Sequence, residues 1–380
     1  MTKHAMSRPR TRGLAVSLIS LISLISLISL ITLITLITLI SLISLIPCNG
    51  LLLAAHPHAA PGVTSLTNPR VVYRKSSVHH VVLQAGDVTA VIVDNNAVTG
   101  GPLLANHRAG YNGVAQLTHK KRPANIFRAP YAGLNYEHIH DGTLAVSAEK
   151  FEPRVSPLEL RIVDRRTVEL YQPPTKNWKL ESCGRYQLLE DGSLEYTFEC
   201  IPRARTFRQG YIGLFWASYI DSPKDKAIHF RGRRVEAKQG SDWIRWLSPA
   251  HGVASTHPPA GARLSKVVEG FPLTLVNHPS PFVYRAPWYY GVSHGMALAQ
   301  VFRARDRIWM AQSPTGGGQT NPAWDFQWFV PDYRVGQAYG FVMRMVYVPF
   351  SSREQLAGAV RPHLEVLNRS PERDRRRGTR

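Results

Sequence analysis

The stretch from Tyr131 to Asp141, YAGLNYEHIHD, is the strongest candidate in this sequence for acid–base chemistry. Read as an extended strand, it sends Glu137, Ile139 and Asp141 to one side and His138 and His140 to the other. Glu137 can serve as a general acid or base, with His138 or His140 as its partner. Two histidines at i and i+2 can also chelate a metal, but such pairs in strands are more often hydrogen-bonded structure, and no metal is assigned. His251, His257, His278 and His294 could complete a site if the fold brought them together.

A second concentration, Tyr284-Arg285-Ala286-Pro287-Trp288-Tyr289-Tyr290, lies in turn-rich sequence and ends near His294. Exposed aromatic rings stack on the C–H faces of sugars, and arginine holds hydroxyls or carboxylates. Arg285, Trp288, Tyr290 and His294 are therefore candidate saccharide contacts, with Tyr111, Asn112, Asn135 and Trp324 adding polar or stacking contacts to the same face. Core packing beneath a loop is the competing reading of Trp288 and Tyr290. The glycine-rich run Ser313 to Gly318 lacks phosphate-loop spacing, no Gly-x-Ser-x-Gly elbow is present, and no cofactor is implied.

Short strand-like runs separated by turn signals must position these residues. They dominate from Arg70 to Phe350, and almost no window keeps helical periodicity, so the class is all-β. Strands are expected at Val71 to Arg74, His79 to Gln84, Val88 to Val93, Leu158 to Val163 and Thr167 to Tyr171. Further runs follow at Tyr211 to Ile220, Ile228 to Gly232, Trp243 to Trp246, Met296 to Arg303, Arg307 to Gln312 and Gly340 to Pro349. Only Ser352 to Leu367 reads as a helix, with Ser352 as its N-cap. A large sandwich of antiparallel strands, a supersandwich, is the architecture that remains.

Leu180 to Pro202 reads as a hairpin. A two-residue turn at Asp191-Gly192 places Cys183 opposite Cys200 as a non-hydrogen-bonded pair, about 4.5 Å apart at the α-carbons and within disulfide reach. Two buried thiols that never bond are the alternative.

Compartment is decided at the N-terminus. Lys3, Arg8, Arg10 and Arg12 precede ten Ser/Thr-Leu-Ile repeats from Ser17 to Ile46, uninterrupted by charge. Residues 1–60 are thus expected to be a signal peptide or membrane anchor, leaving the body outside the cytoplasm: periplasmic, secreted or membrane-anchored. Residues 61–368 form the expected β domain, and residues 369–380 a basic disordered tail. Of the formal charge of +20, each end carries four, leaving about +12 on the body. Those charges are scattered and no nucleic-acid motif is present, so nucleic acid is not an expected partner.

The run HHVVLQAGDVTAVIVDNNAV followed by a Gly-Gly break, then VELYQPP, YQLLEDGSLEYTFEC and NPAWDFQWFVPDYRVGQAYGFVMRMVY, resembles the galactose mutarotase-like superfamily. That resemblance covers most of Arg70 to Phe350 and implies a β-supersandwich with a concave, sugar-holding face. Epimerases of that superfamily place a histidine acid in one strand and a glutamate base near the end of the domain. The comparable strand here, Phe215 to Tyr219, has no histidine, and Trp324-Asp325-Phe326 offers aspartate in place of glutamate. Epimerase activity is therefore not carried over. The expected function is an exported protein that binds a saccharide, with epimerase, lyase or hydrolase chemistry if it is an enzyme. The alternative is a noncatalytic envelope protein that uses its sheet to hold another protein.

Overall fold

The computed structural model describes residues 62–145, 151–262 and 266–369. The hydrophobic repeats and nearly all of the basic tail lie outside them. Strands β1 (Arg74–Lys75), β2 (His80–Ala85), β3 (Val88–Val93), β4 (Gly113–His119) and β5 (Asn135–His140) lead to a short helix, α1 (Glu152–Val155). Next come β6 (Glu159–Asp164), β7 (Thr167–Gln172), β8 (Leu180–Leu188), β9 (Leu194–Pro202), β10 (Tyr211–Ala217), β11 (Ile228–Arg234) and β12 (Asp242–Trp246). The chain closes with β13 (Thr256–His257), β14 (Phe282–Ser293), β15 (Met296–Phe302), β16 (Trp309–Ser313), β17 (Ala323–Pro331), β18 (Tyr339–Pro349) and helix α2 (Arg353–Leu367).

These strands form a ten-stranded sheet in the order β1-β6-β7-β8-β9-β18-β15-β14-β11-β12, a five-stranded sheet β13-β16-β17-β10-β5, and a three-stranded sheet β2-β3-β4. Alternation along the strands explains how the two larger sheets meet. Tyr196, Phe198 and Phe341 point inward from the ten-stranded sheet to meet Trp216, Phe326 and Trp328 of the five-stranded one, and all are essentially buried. Trp216 stacks on Phe326 at 5.2 Å between ring centroids and donates its indole N–H to Tyr196 Oη at 3.1 Å. Burial of such rings is the main favourable term holding the layers together. Helix α2, capped by Ser352 Oγ accepting from the Gln355 N–H, covers the outer face of β14, β15 and β18 through Leu356, Val360 and Leu367.

The β8–β9 hairpin forms as expected, but its register corrects the cysteine pairing. Leu189 and Ser193 close a three-residue loop in which Gly192 takes φ +83°, one residue longer than the two-residue turn. That extra residue slips the register by one. Cys183 faces Glu199, Ser182 faces Cys200, and the two cysteines end on opposite faces of the sheet. Both are free and buried, so the disulfide expected between Cys183 and Cys200 is not formed.

Across the outer face of this hairpin runs a strap, Gly62 to Thr67. Glu199, wholly buried, accepts from the backbone N–H groups of Val63 (3.2 Å) and Thr64 (3.3 Å) and from the hydroxyls of Thr64 and Thr67. Glu169, equally buried, accepts from Ser65 N–H at 3.1 Å and from Arg185 Nε at 2.8 Å. Cys183 Sγ lies 3.6 Å from the same carboxylate, and burial pushes both cysteine thiols up, so neither forms a reactive thiolate at neutral pH. Under non-reducing conditions the folded protein should leave Cys183 and Cys200 unlabelled by iodoacetamide, and denaturant alone should make both fully alkylatable. Peptide mapping that found the two joined would contradict this register.

Candidate functional site

Strand β10 lies between β5 and β17, and its residues alternate between core and cavity. Trp216 turns into the core while Phe215, Ala217 and the following Tyr219 face the other way, into a cavity of about 240 Å³. On the β17 side, Trp216 pairs with Phe326 and Phe215 with Gln327, so Asp325 faces the cavity and Trp324 faces the core. On the β5 side, Trp216 pairs with Tyr136 but Phe215 pairs with His138. Glu137 is the extra residue of a β-bulge, and both it and His138 line the cavity. The simple alternation expected for the YEHIH strand, with Glu137 opposite in sense to His138, is corrected by this bulge.

Glu137 is held from three directions. Tyr219 Oη donates to its Oε2 at 2.6 Å, Asn135 Nδ2 donates to Oε2 at 3.1 Å, and Arg154 Nη1 donates to Oε1 at 3.2 Å. Arg154 comes from α1, donates through Nε to Gly110 O at 3.0 Å, and lies 3.9 Å from the centroid of the Tyr111 ring. Burial raises the Glu137 carboxyl above its ordinary range, with Arg154 and the two other donors working against that rise. Asp325 is raised further: burial is the main cause, the Ser218 N–H donated to Oδ1 at 3.0 Å opposes it, and the charge of Glu137 adds to it. Its Oδ2 is buried with no partner among the described residues. Two carboxyl groups on strands flanking β10 therefore sense each other across one cavity, an arrangement that separates a proton donor from a proton acceptor.

Histidines complete the lining. His138 Nε2 is 4.0 Å from Glu137 Oε1. His251, from the loop after β12, is oriented by Nδ1 lying 2.8 Å from Ser313 Oγ, and burial lowers its pKa while Glu137 raises it. The wall opposite the sheet is the segment Pro272 to Val276, pinned by Gln327 Nε2 donating to Val276 O at 2.9 Å.

His140 shares the His138 side of β5 but lies deeper, wholly buried among Tyr211, Phe271 and Phe329. Desolvation pulls its pKa down to about 3, and neither ring nitrogen has a partner among the described residues. It is a neutral ring packed over Gly213, where a Cβ would lie 2.2 Å from its Cε1. Among the described residues no group of three or more histidine, cysteine or acidic side chains is placed to hold a metal ion.

The remaining sequence candidates divide. Asn135 and Tyr111 gather around Glu137 and Arg154, while Asn112 clips β5 by donating Nδ2 to Tyr136 O at 3.0 Å and accepting the Tyr136 N–H at 3.1 Å. Trp324 is buried on the core face, with its indole N–H donated to Lys226 O, so it presents no stacking surface. Trp288 and Tyr290 lie on the far face of the ten-stranded sheet, buried beneath α2, because they alternate with Tyr289, which turns into the inter-sheet core. Arg285 is exposed on that strand, and His294 occupies the β14–β15 turn at φ +53°, 3.9 Å from Asp221. None of these four lines the carboxylate cavity. Sequence reading had no register with which to bring Asp325, Tyr219, His251 and Arg154 to Glu137. The one local signal was a carboxylate between Trp324 and Phe326 in an otherwise aromatic strand.

No protein-family model matches the chain, and no curated protein sequence does. Solved structures do. A galactose 1-epimerase from Lactobacillus acidophilus NCFM matches at 9% identity and TM-score 0.41, over 74% of this chain and 99% of its own. The heparan sulfate lyase HepC from Pedobacter heparinus matches at 12% identity and TM-score 0.35, over 75% of this chain and 38% of its own. A 4-alpha-glucanotransferase from Thermococcus litoralis matches at 9% identity and TM-score 0.35, over 73% of this chain and 40% of its own. With identities of 9–12% and TM-scores no higher than 0.41, these likenesses carry no argument about fold, substrate or mechanism.

Two measurements check the local physics. Gly213→Ala should cost about 1–3 kcal/mol in denaturant unfolding by forcing a methyl into His140, and the cost should shrink in a His140→Ala background. His140 and His257 are both pulled down to about 3 by burial. On unfolding each returns to 6.5 and can bind a proton that the folded chain refuses. Their contribution to stability is therefore full above about pH 6.5 and lost as the pH falls toward 3. His140→Ala and His257→Ala should each flatten the pH dependence of stability over that window, removing uptake of up to about one proton on unfolding.

Proposed function

We propose that the protein is exported and carbohydrate-active, holding one sugar ring in the cavity between β5, β10 and β17. The observation that carries this reading is the pairing of Glu137 and Asp325 across a cavity floored by Phe215 and Tyr219 and rimmed by His138 and His251. Phe215, almost wholly buried, closes the floor, and the carboxyl groups and imidazoles offer partners for a sugar's hydroxyls. At about 240 Å³ the cavity is smaller than the roughly 300–1,000 Å³ of drug-sized sites, which suits a single ring rather than a buried chain.

The chemistry this site supports best is proton transfer at a sugar oxygen. Asp325, whose protonated form burial favours and whose Oδ2 is unpartnered among the described residues, is the donor. Glu137, its ionised form favoured by Arg154, Tyr219 and Asn135, is the acceptor. His251, oriented through Ser313, stands at the mouth to relay the proton to solvent.

Titrating the full chain with a panel of mono- and oligosaccharides should identify a ligand. Glu137→Gln and Asp325→Asn should each lower turnover, or for a pure binder affinity, by about tenfold or more while the melting temperature holds. A saccharide bound equally well by both variants and by Phe215→Ala would overturn the assignment of this cavity.

A further inference from the structure

A second site is built where the same sheet ends. Because Tyr211 pairs with Pro331, the loop entering β10 and the loop leaving β17 emerge side by side. Together they line an open cleft of about 620 Å³ that includes Arg205, Phe207, Arg208, Asp332, Tyr333 and Arg334. It stands roughly 13 Å from Phe215 along β10, at about 3.3 Å per residue, and shares no lining residue with the carboxylate cavity.

The backbone of this cleft is fixed and its cations are not. Phe207 N–H donates to Tyr333 Oη at 3.3 Å, and the two rings meet edge to face at 5.2 Å. Arg208 N–H donates to the buried Asp141 carboxylate at 2.6 Å, and Arg334 N–H donates to Tyr339 Oη at 2.7 Å. The ties at Arg208 and Arg334 use the main chain and leave the side chains uncommitted. Among the described residues none of the guanidinium groups of Arg205, Arg208 and Arg334 has an ion-pair partner, whereas nearby Arg203 is taken by Glu181. Three cations against the single carboxylate of Asp332 give the cleft a net positive charge. Preorganised loops spare a ligand the cost of ordering them.

We infer that this cleft binds the anionic groups of an acidic saccharide, carboxylate or sulfate, with Tyr333 packing on the sugar. Guanidinium forks match planar or tetrahedral oxyanions, and the half-buried Tyr333 supplies an apolar face beside them. That the anion arrives on a saccharide rests on the sugar site proposed above; that the cleft takes an anion stands on its own residues. The full chain would thus select acidic glycans over neutral ones.

Binding of the purified full chain to heparin, alginate, dextran, inorganic sulfate and a DNA duplex separates the outcomes. Expected is binding of heparin or alginate but not dextran, weakened about tenfold or more by the triple variant Arg205→Ser, Arg208→Ser, Arg334→Ser, with a shallower salt dependence. A control triple at exposed arginines elsewhere, Arg108→Ser, Arg285→Ser and Arg361→Ser, should change it less than about twofold. Tyr333→Ala should weaken the glycan and leave inorganic sulfate unaffected. Equal losses in the two triples would show diffuse attraction to a basic protein and overturn the cleft. DNA bound as tightly as the glycan, with the same loss in the cleft triple, would overturn the saccharide assignment. Glu137→Gln and Asp325→Asn, which act at the sugar cavity, should weaken the glycan and leave inorganic sulfate binding at the cleft intact. If they abolish glycan binding while the cleft triple does not weaken it, the cavity reading survives and the cleft falls.

Discussion

One extra residue in β5 sets the geometry of everything around the cavity. Tyr136 must stay in the core, where it stacks on Trp216 at 5.0 Å, and His138 must pair with Phe215 on the opposite face. Without the bulge, regular alternation would drive either the tyrosine or the histidine to the wrong side, since a one-residue slip inverts every side chain that follows. With it, Glu137 is freed from the ladder and reaches Tyr219, Asn135 and Arg154 at once. The core supplies the rigidity and the bulge spends a little regularity to aim one carboxylate.

How far sequence alone reached depended on the range of the interactions involved. Periodicity placed β3 at Val88–Val93 and located the α2 cap at Ser352, because both follow from neighbouring residues. Turn chemistry at Asp191-Gly192 was recognised but its length was not, and one residue decided between a staple and two free thiols. Trp288, Tyr290 and Trp324 looked like sugar-stacking surfaces because aromatic residues carry no mark of which face they will occupy. Pairing of β10 with β17, whose partners Trp216 and Phe326 lie 110 residues apart, decides that for Trp324, and the closing of α2 over the far sheet face decides it for Trp288 and Tyr290. Glu137 and His138 were legible as chemistry; their partner Asp325, 188 positions after Glu137, was visible only as an aspartate that failed to match a motif.

The charged groups of the body follow one economy. The buried carboxylates other than Asp325 are surrounded by donors: Glu137 by three side chains, Glu169 by a cation and a main-chain amide, and Glu199 by two amides and two hydroxyls. Asp325 departs from this pattern, keeping one oxygen without a donor. Unsatisfied buried groups are expensive and therefore concentrate where a protein acts, so the exception coincides with the cavity.

The strap from Gly62 to Thr67 bears on where the folded domain begins. Its amides and hydroxyls are the donors that make two wholly buried glutamates tolerable on the outer face of β7 and β9. A chain shortened to begin at Gly62 keeps that arrangement whole. One shortened beyond Thr67 strips Glu199 of all four of these partners, leaving a carboxylate to find water or protons in the middle of a sheet. The carboxylates of the body thus act as a ruler, marking from the folded side where the β domain begins.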